Sequence, residues 1–74
     1  MNKQRRKRLE DAFAMIDEAK DILQEVKDEE QEAYDNLPES FQNGERGDEM
    51  QGYIDMLDEA SGYLDDANSV VEQI

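Results

Sequence analysis

The side chains that could do chemistry in this chain are carboxylates, a few bases and three serines. The chain has no histidine and no cysteine, so it lacks a general base of near-neutral pKa, a thiol nucleophile and the usual ligands of zinc. Its serines have only carboxylates as candidate bases, and no segment has the Asp and Gly spacing of a calcium-binding EF-hand. We therefore predict that the protein is not an enzyme and has no catalytic residue, cofactor or metal.

Charge is the feature that most restricts the choice of partner. The chain has 21 acids and 8 bases, a net charge of −13. Five of those bases lie between Lys3 and Arg8, so residues 9–74 carry 21 acids, three bases and a net charge of −18. A body this acidic repels nucleic acid and favours basic proteins. We predict binding to a basic protein partner, possible inhibition of a nucleic-acid-handling factor by DNA mimicry, and no direct nucleic-acid binding. A plain solvated surface is the alternative.

The basic segment (Lys3–Arg8) has three interpretations, of which one is a contact with another protein. It could also act as a charge clamp within one chain, neutralising Asp65, Asp66, Glu72, the terminal carboxylate and the negative end of the second helix. It could instead bind phosphate, so that an oligomeric bundle sequesters a nucleotide or cyclic-nucleotide signal. The candidate ligand residues for that alternative function are Lys3, Arg5, Arg6 and Arg8.

Two long amphipathic helices must position these charges. Apolar residues recur at alternating intervals of three and four in both halves of the chain, which is the heptad pattern of packed helices. Pro38 cannot continue a helix and biases Leu37 away from helical geometry. We predict one domain, 1–74, with helix 1 at about 3–35, a loop at 36–43 and helix 2 at about 44–73. Residues 38–41, starting at Pro38, are expected to form one helical turn that lets Phe41 cover the open end of the bundle.

The loop is short, so the two helices should be antiparallel neighbours. A bend at Phe41 and Gln42 predicts that facing residues have numbers adding up to 83, with alanines opposite larger residues. The predicted apolar layers are Leu9 with Ile74, Ala12 with Val71, Ile16 with Ala67, Ala19 with Leu64, Leu23 with Ala60, Val26 with Leu57, and Ala33 with Met50. Glu30 is expected to accept a hydrogen bond from Tyr53. This packing predicts an internal apolar seam that is complete by itself.

A second apolar stripe flanks that predicted seam and would be left in water by a single hairpin. Its members, the predicted partner interface, are Phe13, Met15, Ile22, Tyr34, Ile54, Met56, Tyr63 and Val70. A chain of this length buries only about 60% of its unfolded surface, and neither a disulfide nor zinc is available for support. We predict an all-α antiparallel two-helix hairpin, coiled-coil-like, that assembles as a homodimeric four-helix bundle. A groove for a different protein, or a monomer with a wider core, would also account for the stripe.

The longest apolar run, Ala12 to Ile16, is far shorter than the roughly 20 residues needed to span a membrane. We therefore expect no membrane association and a cytoplasmic protein. Residues 28–42, which read DEEQEAYDNLPESFQ, and the following Glu45-Arg46-Gly47 resemble a group of small acidic helical-hairpin proteins of phages, prophages and gut-type Gram-positive bacteria. Together with the heptads, the likeness covers most of the chain. The resemblance implies a phage or mobile-element protein in the cytoplasm of a bacterial host, and it implies nothing about chemistry.

Overall fold

The computed structural model describes residues 1–74 and contains only helices. These are α1 (Lys3–Asp35), α2 (Glu39–Gln42) and α3 (Glu45–Glu72). The two long helices lie side by side in a rod of 58 × 15 × 11 Å. The predicted all-α fold with a pair of long helices in contact is therefore confirmed. None of the three helices is both long and apolar enough to cross a bilayer.

Local chemistry accounts for where the first long helix begins and ends. Asn2 is its N-cap, and the Asn2 side-chain oxygen accepts a hydrogen bond of 2.8 Å from the Arg5 backbone N–H. The helix ends at Asp35, ahead of Pro38, whose ring disfavours helical geometry in the preceding residue. Pro38 then stands immediately before α2, the single short turn between the long helices.

Two residues, Gln42 and Gly47, hold the bend through contacts that the sequence pattern did not predict. The Gln42 side-chain amide donates hydrogen bonds of 3.0 Å and 3.4 Å to the backbone carbonyls of Tyr34 and Asp35 in the last turn of α1. The Tyr34 carbonyl also accepts from the Leu37 backbone N–H over 3.0 Å. Gly47 is buried, and a Cβ atom there would lie 2.0 Å from the Gln42 carbonyl oxygen. Only glycine allows α3 to approach the turn this closely. Phe41, expected to cover the open end, is instead 54% exposed.

Polar contacts between the long helices establish their direction and alignment. These contacts join Asp17 to Asn68, Lys20 to Asp65, and Lys27 to Asp58. Residue numbers rise along α1 as they fall along α3, so the helices are antiparallel. The numbers of each pair add up to 85. The observed sum is thus two greater than the predicted sum of 83, so these residues meet partners two positions further along α3 than predicted.

The seam between the helices differs from the predicted one. On α1 the buried or half-buried line is Leu9, Phe13, Ile16, Lys20, Leu23, Lys27, Glu30 and Tyr34, and Leu37 continues it just beyond the helix. On α3 it is Gly47, Met50, Ile54, Leu57, Ser61, Leu64, Asn68 and Val71. Half of the predicted seam is present, but Val26, Ala33, Tyr53 and Ala67 are exposed. The prediction was wrong here because each helix has two stripes of residues with the same spacing. The stripe that faces the other helix is completed by lysine stems and an asparagine.

The internal seam (the two lines of residues just given) therefore buries few hydrophobic side chains. Ile54 is its one buried hydrophobic residue, at 5% exposure, and Asn68, about four turns further along α3, is buried at 6%. The Asn68 amide nitrogen donates to Asp17 over 3.0 Å, while its oxygen has no partner. Lysine stems cover apolar neighbours and leave the ammonium groups paired at the surface. The hydrogen bond from Lys20 to Asp65 raises the pKa of that ammonium group above its ordinary value.

Tyr53 also differs from expectation. Its hydroxyl donates to Glu49, one turn earlier on the same helix, over 2.7 Å, and not to Glu30. This hydrogen bond to a carboxylate raises the pKa of the Tyr53 phenol. Glu30 is half-buried in the internal seam. The predicted layer therefore does not form, because Tyr53 lies outside the internal seam.

Candidate interaction surfaces

One broad side of the hairpin carries a second apolar stripe on each long helix. We call it the apolar side, and each of its residues within the two helices comes one position before a residue of the internal seam. On α1 it consists of Ala12, Met15, Ala19, Ile22, Val26 and Ala33. On α3 it consists of Tyr53, Met56, Ala60, Tyr63, Ala67, Val70 and, after the last helical turn, Ile74.

Geometry places both stripes on the same side of the hairpin. A step of one residue turns an α-helix by about 100°, so each stripe lies roughly a quarter-turn from the internal seam. Both stripes are shifted in the same direction along their own chain. Because the helices are antiparallel, the two quarter-turns lead to the same broad side of the rod. The stripes therefore form one continuous surface instead of two opposite edges.

Exposure confirms that this surface is uncovered in a single chain. The structure has ten exposed large hydrophobic residues, and eight of them belong to the apolar side. They are Met15, Ile22, Val26, Tyr53, Met56, Tyr63, Val70 and Ile74, with exposed fractions between 42% and 69%. Only Met1 and Phe41 lie elsewhere. A concentration of this kind on one side is typical of interaction surfaces, since single exposed apolar residues are otherwise scattered.

The predicted interface residues divide into two groups. Met15, Ile22, Met56, Tyr63 and Val70 all lie on the apolar side and are exposed. Ile54, Phe13 and Tyr34 do not lie there.

Ile54 is the clearest of the three corrections, because it is buried in the internal seam. Phe13 and Tyr34 are half-buried in that seam. Phe13 also lines a groove of about 280 Å³ with Leu9, Val71 and Ile74, at the end of the rod away from the bend. Tyr53, Val26 and Ile74 also lie on the apolar side, although they were predicted to lie in the internal seam. The signal for them was the second run of three-and-four spacing.

The opposite broad side is acidic. Its residues come one position after a residue of the internal seam, so the same quarter-turn in the other direction places them away from the apolar side. Ten carboxylates occupy these positions: Glu10, Asp17, Asp21, Asp28 and Asp35 on α1, and Asp48, Asp55, Asp58, Asp65 and Glu72 on α3. We call this surface the acidic side. Many of its members are seven residues apart, which is about 10.5 Å along a helix. No group of three or more side chains is arranged to hold a metal ion.

The basic segment makes little use of the acids within its own chain. The Arg6 guanidinium donates to the backbone carbonyl of Ile74 over 2.9 Å, and Lys7 pairs with Glu10 and Asp11 of its own helix over 3.8 Å and 3.5 Å. Neither Arg5 nor Arg8 forms a side-chain hydrogen bond or an ion pair.

Of the predicted clamp, the contact of Arg6 with Ile74 just beyond α3 is present, and the alignment of the helices explains why the side-chain acids of α3 take no part in it. Because numbers of facing residues add up to about 85, Asp65 lies opposite Lys20 and Glu72 lies near Phe13. The acids of α3 that were expected to meet the basic segment therefore lie one or more turns away from it. Residues 1–8 are all exposed and extend past the last turn of α3.

The hairpin thus presents three surfaces of different chemistry: the apolar side, the acidic side and the basic segment. Comparison with protein-family models, with curated proteins and with solved structures gave no match.

Proposed function

We propose that this chain is a non-enzymatic interaction protein whose apolar side is covered by a second copy of itself and whose acidic sides bind a protein with a basic surface. The observation that carries the proposal is the concentration of eight exposed large hydrophobic residues on one side of a hairpin that has one buried hydrophobic residue. From the sequence resemblance alone, we infer a bacterial or phage cytoplasmic setting.

The side-chain sizes on the apolar side support a second copy as its cover. Small and large residues alternate along much of each stripe, as in Ala12, Met15, Ala19 and Ile22 on α1. Large residues of one helix can then fit over the alanines of another, as in the layers of a helical bundle. A two-fold axis brings the same stripe onto itself, so one alternating pattern can satisfy both partners.

The acidic side supports the second half of the proposal. In a bundle closed by two apolar sides, both acidic sides face outward and remain open to a partner. Regularly spaced carboxylates on a rigid helix pair can occupy a surface that otherwise binds nucleic-acid phosphates. We therefore propose a partner that is basic and handles nucleic acid.

Competition against DNA tests this part with charge-matched variants. The probe is a labelled DNA duplex bound by a short polylysine peptide, and the titrant is the full chain. The triple variant Asp21→Asn, Asp28→Asn, Asp55→Asn removes three charges from the acidic side. We expect it to displace the DNA several-fold less well than a variant with three neutralised acids outside that side. That matched control is Glu18→Gln, Glu25→Gln, Glu32→Gln. Equal losses for both variants would mean that net charge alone acts, and would contradict a binding role for the acidic side.

A further inference from the structure

We infer that the basic segment of each copy docks on the acidic bend of a second copy, so that the two hairpins pack with their bends at opposite ends. This inference rests on the proposed self-association and adds its orientation and its ionic contacts. The partner that binds the basic segment is thus another copy of this chain.

Charge is unevenly distributed along the rod. The basic segment has five bases and no acid, whereas residues 28–49 around the bend have nine acids and one base. Two hairpins with bends at the same end would bring two such acidic groups together. Opposite ends place a basic segment beside an acidic bend twice, which replaces repulsion by attraction.

Two of the bases lie on the side that would face a second copy. Arg5 and Arg8 continue the three-and-four spacing of the apolar side toward the start of α1, ahead of Ala12 and Met15. They therefore lie on the side that a second copy would cover, and neither forms an ion pair within the chain. On α3, Glu49 continues the same stripe beyond Tyr53, so a carboxylate stands where the apolar side reaches the bend.

The length of the apolar side also fits this arrangement. The apolar side of α1 runs from Ala12 to Ala33, so its midpoint lies near the level of Ile22. A two-fold axis at that level, perpendicular to the helices, carries residues 3–8 of one copy to the level of about residues 44–49 of the other. Glu45 and Glu49 lie in that range and are exposed. Full overlap of the apolar sides and contact between opposite charges therefore occur in the same arrangement.

Helix dipoles act in the same direction. Bases in the first turn of α1 oppose the partial positive charge at that end of their own helix, which is unfavourable for an isolated helix. A second copy placed with its bend alongside supplies carboxylates and the C-terminal end of its own α1 at this position. The placement of the bases is then favourable in the dimer although it is unfavourable in the single chain.

Charge reversal tests the contact. We expect Arg5→Glu, Arg8→Glu to weaken self-association about tenfold, and Glu45→Arg, Glu49→Arg to do the same, because each change creates two repulsive contacts per dimer. The chain with all four substitutions restores opposite charges and the original net charge, so its dissociation constant should return to within about threefold of the original. Circular dichroism at high concentration confirms that each variant is helical. Two-residue variants that associate as well as the original chain would overturn the contact. It would also be overturned if the chain with all four substitutions did not regain the original dissociation constant.

Orientation is tested by a single spin label, since the chain has no native cysteine. Gln4→Cys places a label on the basic segment, away from the apolar side. With bends at opposite ends, the two labels of a dimer should be about 50 Å apart, because about 36 residues of helix separate their levels. A distance within about 25 Å would show bends at the same end and overturn this inference while leaving the proposed self-association intact. A sample that is monomeric by mass would instead overturn the proposed function.

Discussion

Gly47→Ala is expected to lower the free energy of unfolding by about 3 kcal/mol, the largest effect of any single methyl group added to this chain. The new Cβ would lie 2.0, 2.5 and 2.8 Å from the carbonyl oxygen, carbonyl carbon and Cα atom of Gln42. These are backbone atoms, so the turn has to move as a unit. Its movement would break the Gln42 hydrogen bonds to the carbonyls of Tyr34 and Asp35. Chemical denaturation followed by circular dichroism measures the loss.

Gly52→Ala is the matched control for this substitution. No atom lies within 4 Å of a Cβ atom at Gly52, and the residue is inside α3. Alanine should therefore stabilise the protein by about 1 kcal/mol through helix propensity. The same substitution is therefore expected to lower the free energy of unfolding at Gly47 and to raise it at Gly52. Equal effects at Gly47 and Gly52 would show that the turn does not press against α3.

The second large effect is expected from placing a charge on the apolar side. Ile22→Asp and Tyr63→Asp, each made alone, should remove the dimer and most of the helical signal at micromolar concentration. Each substitution occurs twice in a dimer, and a buried side chain of this size contributes about 1.5–3 kcal/mol. Helix content is lost together with association because the internal seam has so little apolar cover. Circular dichroism and sedimentation velocity on the same samples measure both consequences.

Phe41→Asp is the control for these two variants. Phe41 is as exposed as Ile22, at 54% against 53%, but lies on α2 and outside the apolar side. It should leave both helix content and association unchanged. If Ile22→Asp behaved like Phe41→Asp, the apolar side would have no more importance than any other exposed hydrophobic residue.

The elements of the fold follow from the sequence because each has a local cause. Three-and-four spacing predicts long helices, and Pro38 restricts the chain at the point where the first of them ends. A short connection then requires antiparallel packing. All of these arguments concern neighbouring residues, so they can be made without any knowledge of tertiary structure.

The rotation of the helices could not be predicted in the same way. Each helix carries two stripes of equal spacing, one residue apart, and both contain large apolar residues. The internal seam includes Lys20, Lys27 and Asn68, which a search for apolar residues rejects, although a lysine stem or a paired asparagine packs there. The more hydrophobic stripe, which contains Val26, Tyr53 and Ile74, faces outward. A preference for apolar residues therefore selected the wrong stripe for half of the seam, and assigned Ile54 to the surface.

This reversal also changes the reason for expecting a partner. A complete internal seam would make the second copy an addition to a stable hairpin. The observed seam has one buried hydrophobic residue, so folding and association are expected to be coupled. The roles of Gln42 and Gly47 depend on a close approach between the turn and α3, which no local pattern reveals.

The most direct test of this account is the mass of the unmodified chain in solution. Sedimentation equilibrium at tens of micromolar should give a dimer of two 8.6 kDa chains. The helix content should fall as dilution dissociates it. A single, fully helical species of 8.6 kDa at that concentration would show that the hairpin is stable with its apolar side in water. That result would contradict the claim that a second copy covers this side.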